Sequence, residues 1–210
     1  MQSARPGGAT DQALAHASTA LEIGRRLGSD QFISFSLLTM AMAELRAGHA
    51  VEAERCAAEG LRHADACGFA WGAVASGWIM CKARITSGDL SAPTVAGLAR
   101  VVADSALNRD ITSWLVGLVS EAYVLLRVGF ERQAAELVGI AARQGQRIGF
   151  APEAMDPVET RQYLDQTMQA IRGAELMGCY EQGFGLDTQA AFERAAELIS
   201  TVQAELISTR

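Results

Sequence analysis

Histidine and cysteine are scarce in this chain, and nothing joins them into a site. The three histidines are His16, His49 and His63. No two of them stand at the HExxH spacing or at another ligand spacing, which argues against a metal centre. Cys56, Cys67, Cys81 and Cys179 contain no CxxC pair. A chain of 210 residues, half of them hydrophobic, does not need a disulfide framework to fold. The thiols are expected to be reduced and to act as small hydrophobes. The GxSxG, P-loop and GxGxxG motifs are also absent. Gly183-Phe184-Gly185 follows a helical stretch rather than a strand, so it fails as a phosphate cradle. Arg62-His63-Ala64-Asp65 could orient a histidine, but no serine or cysteine nucleophile motif accompanies it. The expectation is a non-enzyme with no catalytic residue, no metal and no cofactor.

Positive charge and long apolar runs are missing too. Lys and Arg number 18 against 24 Asp and Glu, for a net charge of −6. No basic stripe marks a direct nucleic-acid interface. The longest largely uncharged apolar runs, Phe69–Cys81 and Trp114–Val119, are too short to span a bilayer. Met1–Thr10 lacks the apolar core of a secretion signal, so the default location is cytoplasmic. No stretch alternates with period two for long enough to suggest a sheet. The paired acids Glu52/Glu54 and Glu131/Glu136 read as solvated helix faces rather than as a general acid and base.

What the chain does have is a period. Small turn residues recur at Gly28, Gly68, Asn108 and Gly149, spaced 40, 40 and 41. A second series, Gly48, Gly88 and Gly129, is spaced 40 and 41. Glycine and asparagine are the residues that accept a left-handed backbone at a helix C-terminus. Two interleaved turn series with one period predict a tandem array of two-helix units, each burying its apolar face on its neighbours. The extra residue is placed between Asn108 and Gly129.

Aligned positions support this reading. In the second helices Leu27, Cys67, Leu107 and Ile148 precede the turn by one. Leu21, Leu61, Val101 and Ala142 lie six further back, and Ala17, Ala57, Gly97 and Val138 four before those. All are read as one helical face. In the first helices the aligned sets are Leu45, Ile85 and Leu126; Ala41, Cys81 and Ala122; and Leu38, Trp78 and Val119. Helices are predicted at 11–27, 31–47, 50–67, 70–87, 92–106, 110–128, 131–148, 157–172 and 187–207. Thr10-Asp11, Ser29-Asp30, Ser91 and Asp110 are candidate N-caps, and Pro93 fits a first turn. The expected organisation is a flexible N-terminus over 1–10, repeats over 11–150 and C-terminal capping helices over 151–210.

Units of about 40 residues, longer than the usual 34, resemble the tetratricopeptide-like (TPR-like) arrays at the C-terminus of MalT/LuxR-type ATPase regulators. Similar arrays follow the ATPase module of some class III adenylate cyclases. The residues carrying the likeness are Gly68-Phe69-Ala70-Trp71 with Gly77-Trp78, Ser120-Glu121-Ala122-Tyr123, and the glycine-centred turns. The segment from Pro157-Val158-Glu159 to Tyr180-Glu181-Gln182-Gly183-Phe184-Gly185-Leu186-Asp187 is similar to the closing element after such arrays. Phe184 stands there in place of a basic residue, Asp187 in place of serine and Thr188 in place of an apolar residue. The resemblance implies an all-α fold, a right-handed two-helix-repeat solenoid that relays signals in transcription regulation. The implied partner is a protein or a neighbouring ATPase or effector module. The chain itself carries no ATPase motif and no recognisable helix-turn-helix.

Helix 11–27 aligns with the second helix of a hairpin and has no first-helix partner before it. Two expectations follow: a segment of a longer array, or a docking face around Leu14, Ala17 and Leu21 that supports self-association through helix 11–27. For function, the leading expectation is a non-catalytic interaction module binding a protein along first helices, with Ser34, Lys82, Ser113 and Tyr123 as groove positions. The alternative is a small-molecule inducer sensor with a pocket near Trp71 and Trp114. Trp78 is assigned to the core.

Overall fold

Apolar residues recurring every three to four positions between glycine turns dictate helices. The computed structural model describes residues 6–156 and 159–208 and contains no strand among them. In chain order the helices are α1 (Pro6–Leu27), α2 (Asp30–Arg46), α3 (Ala50–Cys67), α4 (Ala70–Thr86), α5 (Ala92–Leu107), α6 (Ile111–Arg127), α7 (Glu131–Ile148), α8 (Pro152–Met155), α9 (Glu159–Ala170), α10 (Ala174–Phe184) and α11 (Thr188–Ser208). The chain divides into two compact units, the first ending at Asp89 and the second beginning at Leu90.

Left-handed residues close the helix ends. Gly28, Gly48, Gly68, Gly88, Gly129 and Gly149 all have φ between 63° and 93°. The remaining left-handed residue is Arg109, φ 56°, and not Asn108 as the sequence suggested. Asn108 keeps φ −81°, and its side chain donates to the Asp104 carbonyl at 2.8 Å. The extra residue therefore lies between Gly88 and Arg109, which are 21 apart where the other successive left-handed residues are 20 apart. Ser29 and Asp110 cap α2 and α6 as expected, accepting from the Phe32 and Ser113 amides. Ser91 precedes α5 without a side-chain cap bond. Thr10-Asp11 caps nothing, since α1 already begins at Pro6 and residues 6–10 are helical. Residues 1–5, and Pro157-Val158 of the expected closing element, lie outside the described residues.

In the first unit, short connections set consecutive helices side by side. Helix α1 packs on α2, α2 on α3 and α3 on α4, and α2 also touches α4. Leu21, Ile33 and Leu37 form one cluster. Leu38, Ala41, Cys56, Ala57 and Ile79 form another, with Met40, Trp78 and Met80 packed against it. Of the expected docking face, Ala17 and Leu21 are buried within the unit and Leu14 is half-buried. The exposed large apolar residues among those described in α1 are Ile23 and Leu27.

In the second unit α5, α6 and α7 pack in sequence, α9 lies on α6, α10 on α7, and α11 on both α5 and α7. Helix α10 meets α7 backbone to backbone. A Cβ added at Gly139 would collide with the Tyr180 carbonyl, and one at Gly183 with the Glu136 carbonyl. The turn into α11 is tied to α7 by buried Gln144, whose Nε2 donates to the Leu186 carbonyl at 3.1 Å and whose Oε1 accepts from the Thr188 hydroxyl at 3.0 Å. Asp187 caps α11 by accepting from the Ala190 amide at 2.9 Å.

The first-helix faces are inward as the sequence indicated, with Trp78 and Leu126 only half-buried. The second-helix assignment fails at its last position. Leu27, Leu107 and Ile148 are exposed large hydrophobics, and Cys67 is exposed as well. Six residues rotate an α-helix by about 600°, so a residue one before the turn lies about 120° away from the one seven before it.

The α7–α10 crossing gives a paired test. Gly178 sits in α10 with nothing within 4 Å of an added Cβ, so Gly178→Ala should raise stability by roughly 0.5–1 kcal/mol through helix propensity. Gly183→Ala on the same helix should lower it by about 1–3 kcal/mol or more, by overpacking. Urea midpoints of the two variants against the wild type measure both.

Candidate functional site

The six expected site residues are divided between the two units. Ser34, Trp71 and Lys82 belong to the first unit, and Ser113, Trp114 and Tyr123 to the second. Ser34 is fully buried in α2 and its hydroxyl has no hydrogen-bond partner. It faces no open groove, because α3 comes close enough at Gly60 that an added Cβ would meet the Ser34 carbonyl at 3.3 Å. Lys82 is also buried, with its ammonium 4.7 Å above the Trp78 ring. Ser113 belongs to the cap of α6: its hydroxyl donates to Asp110 at 2.7 Å. Tyr123 is stacked on Tyr163 of α9 at 4.3 Å, with Arg127 donating to its hydroxyl at 3.4 Å. Ser34, Lys82 and Tyr123 are thus buried within their units, and Ser113 is half-buried at the start of α6.

The two tryptophans do lead to surfaces a ligand can reach. Trp71, near the start of α4, is 46% exposed and stands 6.1 Å from Phe35 and 5.9 Å from Phe69. Phe35 is 51% exposed, and Phe32 one turn earlier on α2 is 62% exposed. This is an aromatic edge on the first unit. Trp114, by contrast, is buried against Phe192 of α11 at 4.2 Å. It forms the floor of a half-open cleft of about 370 Å³ between α5 and α11. The α5 wall is Ala96, Ala99, Ala103 and Ala106, and the α11 wall is Phe192, Ala196 and Ile199. Arg100, Ser200 and Gln203 supply its polar atoms. Arg100 also pairs with Asp104, one turn on, at 3.2 Å.

Several acids that sequence reasoning left on the surface are engaged. Glu136 is nearly buried and accepts both arms of Arg194, at 2.7 and 2.9 Å. Glu54 holds Arg84 at 2.7 Å, and Glu52 holds Arg55. His63 pairs with Asp30 at 2.7 Å. Cys56, Cys81 and Cys179 are buried, and burial pushes the Cys56 thiol up to about 11, which keeps it unreactive. Among the described residues no group of three or more His, Cys, Asp or Glu is placed to hold a metal ion. No helix among them is long and apolar enough to cross a membrane.

One residue escaped the sequence reading. Glu121 of α6 is fully buried, and neither carboxylate oxygen has a hydrogen-bond partner. Burial pushes its carboxyl up to about 8. A signal was available: Glu121 stands eight before Gly129, where Met40 and Met80 stand eight before Gly48 and Gly88. A carboxyl in a methionine slot is costly unless it carries its proton.

Comparison of the chain with models of protein families, with curated proteins and with solved structures finds no match. The geometry therefore carries the functional reading.

Glu121 gives stability a pH dependence. Between its ordinary value of 4.5 and about 8 the folded chain keeps a proton that the unfolded chain releases. Stability should therefore fall as pH rises through that window, by up to about 1.4 kcal/mol per pH unit from this group. It should level off above the folded value. Chemical denaturation at a series of pH values should show that slope in the wild type, and Glu121→Met should remove it and stabilise the chain at the alkaline end.

Proposed function

We propose that this chain is a non-catalytic helical-repeat interaction module, a TPR-like array of two-helix units of about 40 residues, right-handed, that binds a protein partner. The regular turn pitch supports the repeat reading. Left-handed residues fall 20 apart throughout, apart from the single step of 21 from Gly88 to Arg109. The likeness to arrays of MalT/LuxR-type regulators and of ATPase-containing adenylate cyclases supports a place in cytoplasmic signalling or transcription regulation, beside an ATPase or effector module.

The observation that carries the binding role is the aromatic edge. Exposed apolar clusters on helical proteins mark contact surfaces, and large aromatic side chains are the residues that anchor partners. Phe32, Phe35 and Trp71 are large and exposed, and the Phe35 and Trp71 rings support one another. The fitting partner presents apolar anchors, as an amphipathic helix does.

A second reading, a small-molecule sensor, is favoured by the α5–α11 cleft. Its volume lies in the range of small-ligand pockets, and its lining is mostly apolar with a few polar groups.

A random-peptide display selection against the wild type and against the double variant Phe35→Ser/Trp71→Ser tests the leading role. The wild type should enrich peptides with apolar anchors three and four residues apart, and the double variant should lose that enrichment with an unchanged circular dichroism spectrum. Equal enrichment by both proteins would refute the aromatic edge as the binding surface.

A further inference from the structure

We propose that the cleft between α5 and α11 binds a small apolar carboxylate, a compound with a hydrocarbon or aryl body and a single anionic head. The inference rests on the sensor reading of this cleft and adds the class of ligand.

The body of the ligand follows from the walls. On α5, Ala96, Ala99 and Ala103 fall three and four residues apart, so their methyl groups make a shallow trough along one helix face. The opposite wall is Phe192, with Ile199 two turns on. Trp114 closes the floor, its ring tilted 37° from that of Phe192. Alanine side chains leave the trough too shallow for the two helices to fill it themselves, and the space remains at about 370 Å³. Such a space takes a slim apolar or flat aromatic group packed against the half-buried Phe192 ring and the alanine methyls.

The head follows from the charge. The residues lining the cleft include one cation, Arg100, and no acid, in a chain of net charge −6. Arg100 lines the cleft from the same helix as the alanine trough, and Ser200 and Gln203 line it from α11. A guanidinium offers paired N–H donors that match a carboxylate. One of its partners, Asp104, is an exposed neighbour on its own helix at 3.2 Å, and exposed pairs of this kind are weak enough to be exchanged for a ligand.

The test is titration calorimetry on the full chain with phenylbutyrate and octanoate, each beside its uncharged amide. Both carboxylates should bind and should outcompete their amides. Arg100→Gln should weaken the carboxylates by about tenfold, the loss expected for a charged hydrogen bond, while leaving the amides unchanged. Asp104→Asn, which removes the competing acid, should tighten the carboxylates. Ala103 and Ala196 are exposed positions of the two walls, so Ala103→Phe fills the cleft without entering the core and should abolish binding of every probe. Binding of the amides as tight as that of the acids, in wild type and Arg100→Gln alike, would overturn the carboxylate assignment and leave the sensor reading standing. Absence of binding by all four probes, or binding that survives Ala103→Phe, would overturn both.

Discussion

The backbone reversal at a single left-handed residue is the constraint on which this fold depends. An L-residue with a side chain strains to adopt that conformation, whereas glycine does so freely. Among the described residues, six of the seven left-handed ones are glycine. Each sits in a connection only a few residues long, and after Gly28, Gly48, Gly68, Arg109 and Gly129 the next helix packs back on the one before it within its unit. Helices of 16 to 18 residues in α2 through α7 follow from the distance between such turns. The side-by-side packing of consecutive helices within each unit follows in the same way. Arg109 is the costly member of the series. The chain tolerates it because the reversal there is held from both sides, by the Asp110 amide donating to the Ser105 carbonyl at 2.9 Å and by the Asp110 cap on α6.

Turns set neighbours, and the size of side chains sets how close they come. The α7–α10 crossing depends on glycine at both 139 and 183, since either Cβ would strike a carbonyl of the opposite helix. Such an approach brings many backbone atoms into dispersion contact, but it leaves little apolar side-chain area to bury. The same corner of the second unit is accordingly tied by polar groups. Gln144 satisfies one carbonyl and one hydroxyl at the turn into α11, and Arg194 clamps Glu136 with two hydrogen bonds. These bonds are directional, so they fix where α11 starts and how it lies against α7. The width of the α5–α11 cleft follows from that placement.

Much of this was legible in the sequence because it depends on local rules. The glycine turns, the caps at Ser29 and Asp110, and the inward faces of the first helices each needed only a residue type and a spacing. What was not legible depended on angle or on burial. Leu107 looks like a core residue by type and lies on the outside by rotation. Asn108 is the better left-handed residue by propensity, yet its side chain bonds backward to Asp104 and the next residue takes the turn. Ser34 and Lys82 look like groove residues by polarity and are buried by their neighbours. The buried carboxyl of Glu121 was visible only by comparing its register with Met40 and Met80, which asks what a slot requires rather than what a motif provides.

Register also explains why two tryptophans near helix starts have opposite surroundings. Trp71 stands 17 residues before Gly88, and Trp114 stands 15 before Gly129. A difference of two positions turns a side chain by about 200° around the helix axis. Trp71 accordingly points outward among Phe35 and Phe69, while Trp114 points under α11 to meet Phe192. The residues that share the Trp114 register in the earlier first helices are Ile33 and Ala73. Ile33 lies in a closed apolar cluster with Leu21 and Leu37, so a large side chain at this position is ordinarily covered by its neighbours. At Trp114 the cover is α11, and the small alanines of α5 and α11 leave an open space between the two helices above the covered ring. The open volume is thus a consequence of small side chains opposite large ones at a position that elsewhere is filled.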